Sequence, residues 1–491
     1  MNVALIVIFA FLLISIYLGI RAKKGKTMNF EQWTTGGRSF GTVFVFLLSV
    51  GEIYTTFTFL GASGWAYGKG APALYILAYG CIAFIISYWL LPPIWRYAKE
   101  NRLVSQSDYF VYKYNSPALG ILVSIVGIVA MIPYFVLQLK GLGIIVSQAS
   151  YGSISPNLAI WIGAISITVF VMISGVHGSA WTSVLKDIII LVVVVFLGLY
   201  LPIHYYGSFT QMFHAIDAAH PELLTLPDKG MSVYWFISTI LLTSLGFYTW
   251  PHGFTAIYTA KNERVFRRNA VVFPLYQLVL LFVFFVGFAA ILQVPGLQGA
   301  TEDLALLKIS KLAFPPWFVG VIGAAGLLAA LVPGSLLLMA TATLISKNLY
   351  KVFRPRATDG QIAKLATYLV PIIALVSLYF TSNGGQTIVA LLLMGYSFVI
   401  QFFPSLFFSL FRHNPVTWAG AFYGILVGEI VVVYMTVTNT SIGSMMPFLP
   451  QAVKDLNPGI VALIVNIVVM FIVSLLTRNV RVSRHGTASV T

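Results

Sequence analysis

Apolar residues run in stretches of about twenty along this whole chain, with short polar segments between them. A hydrocarbon layer roughly 30 Å thick imposes this spacing on helices rising about 1.5 Å per residue. Thirteen helical spans are predicted, near residues 3–20, 42–67, 72–91, 119–146, 158–174, 187–203, 233–258, 270–292, 317–344, 364–381, 387–411, 417–436 and 459–476. The first run is read as an anchor and not a leader, because the basic cluster Arg21-Ala22-Lys23-Lys24-Gly25-Lys26 follows it and no small-residue cleavage site is present.

Two of the runs contain helix breakers beside polar groups. The second carries Gly51 and Glu52 followed by Tyr54, Thr55, Thr56 and Thr58, and the seventh carries Gly246, Tyr248, Trp250, Pro251 and His252. Proline removes a backbone donor, and interrupted spans near mid-membrane are where transporters place solute and ion sites. Each break opens a block of five spans. Two consecutive five-span blocks necessarily insert in opposite orientations, so the pattern predicts an inverted repeat.

Composition narrows the class. Hydrophobic residues make up 59% of the 491 and charged residues 9%, against about a quarter charged in soluble domains. Mean hydropathy is +0.90. The chain is therefore read as an all-α polytopic membrane protein forming one integral domain over 1–491. The core repeats are placed at about 42–203 and 233–411, and the peripheral helices at about 3–20, 417–436 and 459–476.

Charge sets the orientation. With loops assigned alternately, 23 of the 29 basic residues fall on one side, Lys186 at the junction of the fifth and sixth spans among them, and the positive-inside rule makes that side cytoplasmic. This predicts a multi-pass protein of the plasma (inner) membrane with its N-terminus outside and its C-terminus inside. The net charge of +15 is spread over short loops, unlike a nucleic-acid footprint. There is no Walker A sequence for a nucleotide, and Cys81 is the single cysteine. The histidines have no partners at metal-ligand spacing, so neither a cofactor nor an enzymatic activity is expected.

Glu52, Lys140 and Glu429 stand inside apolar runs, where an ionisable group is costly and marks a functional site unless it finds a partner. Glu52 is the candidate proton carrier. Tyr134 and Gln138 share a helix face, whereas Gln138 and Lys140 diverge by about 200° around the helix axis. Glu429 lies outside both five-span blocks and is read as structural or interfacial.

The chain resembles the sodium:solute symporter family over essentially its whole length. The resemblance rests on Phe30-Glu31-Gln32-Trp33-Thr34-Thr35-Gly36-Gly37-Arg38-Ser39-Phe40-Gly41, on Phe59-Leu60-Gly61, on residues 134–141, on Trp181-Thr182-Ser183, and on Pro251-His252 with Ala260-Lys261 and Arg267-Arg268. It implies a leucine-transporter-like core of five plus five inverted helices. It also implies a sodium site formed by the carbonyls of Gly51, Tyr54 and Ala329 with two hydroxyls at the positions of Val332 and Pro333. Neither of those side chains carries an oxygen. Details around Gln138-Leu139-Lys140 and Leu331-Val332-Pro333 are most similar to bacterial monocarboxylate and pantothenate permeases.

The resulting expectation is a secondary active symporter working by alternating access on a small organic anion, a monocarboxylate, with another solute such as pantothenate as the alternative. The substrate is expected among Thr55, Thr58, Tyr134, Gln138, Lys140, Tyr248 and Trp250. Ion coupling is placed at Gly51, Glu52, Tyr54, Thr56, Ala329, Val332 and Pro333. A proton is favoured as the coupling ion, with sodium at a displaced site near Ser335 and Thr56 as the alternative. An uncoupled facilitator or channel is a further alternative, and oligomeric state is left open.

Overall fold

The computed structural model describes residues 2–23, 30–51 and 53–478. Among these, regular structure is helical throughout, apart from one isolated bridge between Phe40 and Ala260. Eleven helices are long and apolar enough to cross a membrane, and the bent pair Val233–Thr249 and Pro251–Tyr258 adds a twelfth at an angle of 51°. The short apolar helix Thr42–Gly51, continued beyond its break by Phe57–Gly61 and Ala62–Lys69, makes a thirteenth. Helical hydrogen bonding, which satisfies backbone groups within their own segment, is what permits this many crossings.

The ninth span, Pro316–Thr343, lies at the centre, with almost every side chain buried from Val319 onward. It packs on the first span, on the fourth (Pro117–Ala149) and on the long helix Pro156–Tyr206. The last two spans, Trp418–Val437 and Pro458–Thr477, pack mainly on each other at the periphery.

One predicted boundary is corrected. The hydropathy pattern leaves residues 175–186 between a fifth span and a sixth that starts at 187, but the helix resumes directly at Gly175, giving spans Pro156–Ile173 and Gly175–Tyr206. Gly175 adopts φ 58°, ψ −161°, a corner that a residue with a Cβ resists. The polar run His177 to Ser183 is therefore helical, and Lys186 and Asp187 stand a few turns inside a span, fully buried or nearly so.

Contacts sort the connections onto two ends. At one end Phe40 N donates to Thr259 O, Lys261 N donates to Phe40 O, and Arg96 pairs with Glu263 at 2.6 Å. Asp108 there meets Lys347 at 2.6 Å. At the other end Lys69 pairs with Glu302 at 3.0 Å, and Tyr67 Oη donates to Val294 O. The first group holds the loops that carry most of the basic residues.

Candidate substrate and ion site

The break in the second span is shaped by its own hydroxyls. Thr58 Oγ1 accepts from Thr55 N at 3.0 Å and donates to Ile53 O at 2.6 Å, while Thr55 Oγ1 accepts from Phe57 N at 3.0 Å. A turn with wider-than-α bonding follows at Phe57–Gly61, a feature frequent at functional sites. Thr55 and Thr58 thus satisfy backbone groups that the break sets free. Thr56 reaches outward instead, donating to Gln138 Oε1 at 2.8 Å. Glu52 lies outside the described residues.

Gln138 is fully buried, and its amide nitrogen has no hydrogen-bond partner among the described residues. A buried donor left unmade costs about 1–3 kcal/mol, so this group is poised for an acceptor. Tyr134, one turn earlier on the same face, packs its ring at a tilt 4.9 Å from Trp250 and edge-on 5.2 Å from His252. Trp250 in turn meets Tyr396 at 5.3 Å. Tyr248 is buried beside Phe247, with ring centroids 4.8 Å apart. Pro251 at the first position of Pro251–Tyr258 sets the bend that brings Trp250 and His252 to Tyr134.

From this shell a line of ring contacts runs through Tyr396, Tyr79, Tyr75 and Trp235 to Trp65, each step 5.6–6.0 Å. It ends at a cavity of about 500 Å³ lined by Trp65, Trp235, Gln386, Ser397 and Asn457. The line connects the second, third, seventh and eleventh spans, and the Tyr134–Trp250 contact ties it to the fourth.

Lys140 does not join this group. Its ammonium pairs with Asp303 Oδ2 at 2.6 Å and donates to Gln386 O at 2.7 Å. Asp303 Oδ2 also accepts from Ile388 N at 3.0 Å, capping the eleventh span. Asp303 lies in the turn Gly299–Leu304, far away in sequence. Burial pushes the Asp303 carboxyl up, and the Lys140 ammonium pulls it back only in part, so it ends above the ordinary carboxylate value. The roughly opposed directions of Gln138 and Lys140 are realised, and only Gln138 meets Thr56.

Near the predicted ion position, Tyr54 Oη donates to Tyr276 O and Tyr54 O accepts from Lys186 Nζ at 3.4 Å. A Cβ built on Gly51 would lie 3.4 Å from Lys186 Nζ, 3.4 Å from Val332 Cγ1 and 3.7 Å from Ser183 Oγ. Lys186 pairs with Asp187 at 2.7 Å. Ala329, Val332 and Pro333 are buried in the ninth span. Ser335 donates to Val332 O at 2.6 Å and shares a hydrogen bond of 2.6 Å with Ser179. The hydroxyls of the displaced alternative, Thr56 and Ser335, are thus both engaged with protein atoms. Sequence reading missed Lys186 as an intramembrane group because it placed residues 175–186 in a loop. The buried pair Lys186-Asp187 at the head of an apolar run was the available signal.

Glu429 is buried in the twelfth span, and its carboxyl oxygens have no partner among the described residues. It lines a groove with Leu122, Val126 and Val129 of the fourth span, away from Gln138 and Trp250.

Two broken spans, one in each half of the helical core, with buried polar groups at the breaks, define a secondary transporter. Comparison places it further. The profile of the sodium:solute symporter family matches residues 33–428, and the chain belongs to that family. It is 68% identical over 481 residues to a protein of Bacillus subtilis (strain 168) described as an uncharacterized symporter, YhjB, covering 98% of each chain. It is 27% identical to a monocarboxylate transport permease protein of Rhizobium johnstonii, over 87% of each. A solved Na+-coupled sialic acid symporter, in its substrate-bound outward-open state, superposes with a TM-score of 0.78 over 97% of this chain and 98% of that one, at 15% identity. The fold is the leucine-transporter type with its inverted repeat, and the protein is a cation-coupled symporter.

Proposed function

We propose that this symporter carries a small organic monocarboxylate with a proton, by alternating access, and that the end rich in basic loops faces the cytoplasm. The observation that carries the reading is Gln138, a buried amide whose nitrogen lacks an acceptor among the described residues, set between Thr56 and the Tyr134–Trp250 shell. A carboxylate supplies the missing acceptor, and hydrogen bonds to charged groups contribute about 1.5–3 kcal/mol. The rings of Tyr134, one helical turn from Gln138, and Trp250 suit a short apolar tail. The similarity to a named monocarboxylate permease supports the substrate class. The absence of side-chain oxygens at Val332 and Pro333 supports the proton as coupling ion, with Glu52 as the proposed carrier. Lys140, neutralised by Asp303, is not assigned the substrate charge.

The test is uptake of labelled lactate and pyruvate into proteoliposomes under an inward proton gradient and, separately, an inward sodium gradient. Accumulation under the proton gradient alone is expected. Gln138→Leu should cut uptake efficiency roughly 10- to 100-fold, the rate equivalent of the lost hydrogen bond. Uptake that requires sodium would overturn the coupling, and no uptake under either gradient would overturn the substrate.

A further inference from the structure

We infer that the Lys186 ammonium occupies the place where the family holds a sodium ion, so that this chain carries a tethered cation there and binds no sodium at that position. The inference sharpens the proton-coupled reading above and rests on it for its meaning in transport. Its own observations are structural.

The residues present do not fit the ion. Of the five ligands the family supplies, the two hydroxyls are replaced by Val332 and Pro333, and Val332 turns a methyl group toward Gly51. The space between Gly51 and the ninth span is taken by Lys186 Nζ, which donates to Tyr54 O at 3.4 Å. A sodium ion beside this ammonium would face a like charge a few ångströms away in a buried setting, where such repulsion is strong.

The ammonium also reproduces what sodium contributes. Helix Thr42–Gly51 ends here, and the unpaired carbonyls at a helix C-terminus favour a positive charge. Lys186 supplies it from the sixth span, joining the broken second span to a neighbouring element. Asp187 balances the charge through Oδ1 at 2.7 Å, and its other carboxylate oxygen, Oδ2, has no hydrogen-bond partner among the described residues. Tyr276, whose backbone carbonyl accepts from Tyr54 Oη, also lies close by. Ser183 Oγ donates to Ser179 O at 2.8 Å.

The experiment is a thermal unfolding titration of the purified full chain in detergent, with NaCl replacing choline chloride at fixed ionic strength. The wild-type protein should show no sodium-specific change in Tm. Lys186→Ala removes the tether and leaves the Asp187 carboxylate, the Tyr54 carbonyl and the Ser183 hydroxyl around a vacated space. That variant should gain a saturable sodium-specific rise of roughly 1–3 °C. The charge-free double variant Lys186→Met with Asp187→Leu should show none. A saturable sodium-specific rise in the wild-type protein would overturn the inference and needs no variant. So would a folded Lys186→Ala protein that ignores sodium. Neither readout uses a transported substrate, so failure of the monocarboxylate assignment leaves this result intact.

Discussion

Asp108 joins helix Gln106–Tyr114 to the end of the central span at the basic end, a contact that opening of that end in the proposed alternating-access cycle would break. It sits in the first turn of helix Gln106–Tyr114, where Oδ2 accepts from Val104 N at 3.0 Å and Ser105 N at 3.2 Å. The same oxygen takes Lys347 Nζ at 2.6 Å, and Oδ1 takes Asn348 Nδ2 at 2.8 Å. Lys347 and Asn348 lie on the wide turn Leu344–Tyr350 that ends the central ninth span. Asp108→Asn keeps an oxygen for the helix cap and loses the charge that holds Lys347. A charged hydrogen bond contributes about 1.5–3 kcal/mol. Lys347 is 24% exposed, so water recovers part of that, leaving about 2 kcal/mol, or roughly a 30-fold shift toward the opened end.

The assay is the rate of maleimide labelling of the cysteine introduced by Ser346→Cys, a fully buried neighbour of Lys347, in a Cys81→Ser background. Labelling should accelerate about 10- to 50-fold with Asp108→Asn, and adding Lys347→Met should produce little further change. A rate within twofold of the parent would refute the latch. Burial alone would raise the Asp108 carboxyl, but the Lys347 ammonium and the backbone donor outweigh it and bring it below the ordinary value. A depressed carboxyl contributes stability above its unfolded value of about 3.9, which is lost only as pH falls through the lower folded value. Divided by the rate for the same cysteine in the unfolded chain, which rises with the thiolate fraction, labelling of the parent should therefore stay flat between about pH 5.5 and 8.

Two further outcomes concern the opposite end. Lys140→Met leaves Asp303 ionised and buried, so the variant should lose about 3 kcal/mol at neutral pH, while Lys140→Met with Asp303→Leu recovers most of it. The Asp303 carboxyl is already raised, so the native state holds its proton to higher pH than the unfolded chain. Its contribution to stability then falls as pH rises through that window, and the single variant should regain stability on acidification in thermal unfolding scans. An unchanged Tm with a raised uptake KM would instead make Lys140 a substrate ligand. Gly64→Ala would place a Cβ 2.8 Å from Glu302 O and 3.0 Å from Asp303 Cα, both backbone atoms. Overpacking of about 1–3 kcal/mol outweighs a helix-propensity gain of up to 1 kcal/mol. Gly64→Ala should therefore lower Tm, and an increase would show that the turn 299–304 yields freely.

The spans and both breaks were legible because they depend on local sequence: twenty apolar residues, a proline, a cluster of hydroxyls. The divergence of Gln138 and Lys140 was legible too, since it follows from helix periodicity alone. What each side chain meets was not. The partner of Lys140 lies 163 residues away in a short turn between the eighth and ninth spans, and nothing in the local pattern at Asp303 announces it. Thr55 and Thr58 read as solute ligands because hydroxyls at a break serve either a solute or the broken backbone, and only the distances separate the two. Lys186 was misread for a further reason. A run of small polar residues lowers hydropathy as a loop does, so the positive charge at its end was assigned to the membrane surface. The corner at Gly175 moves that charge inward beside Tyr54, and the missing hydroxyls at Val332 and Pro333 then acquire a physical cause. A sodium site loses its side-chain ligands where another cation already stands.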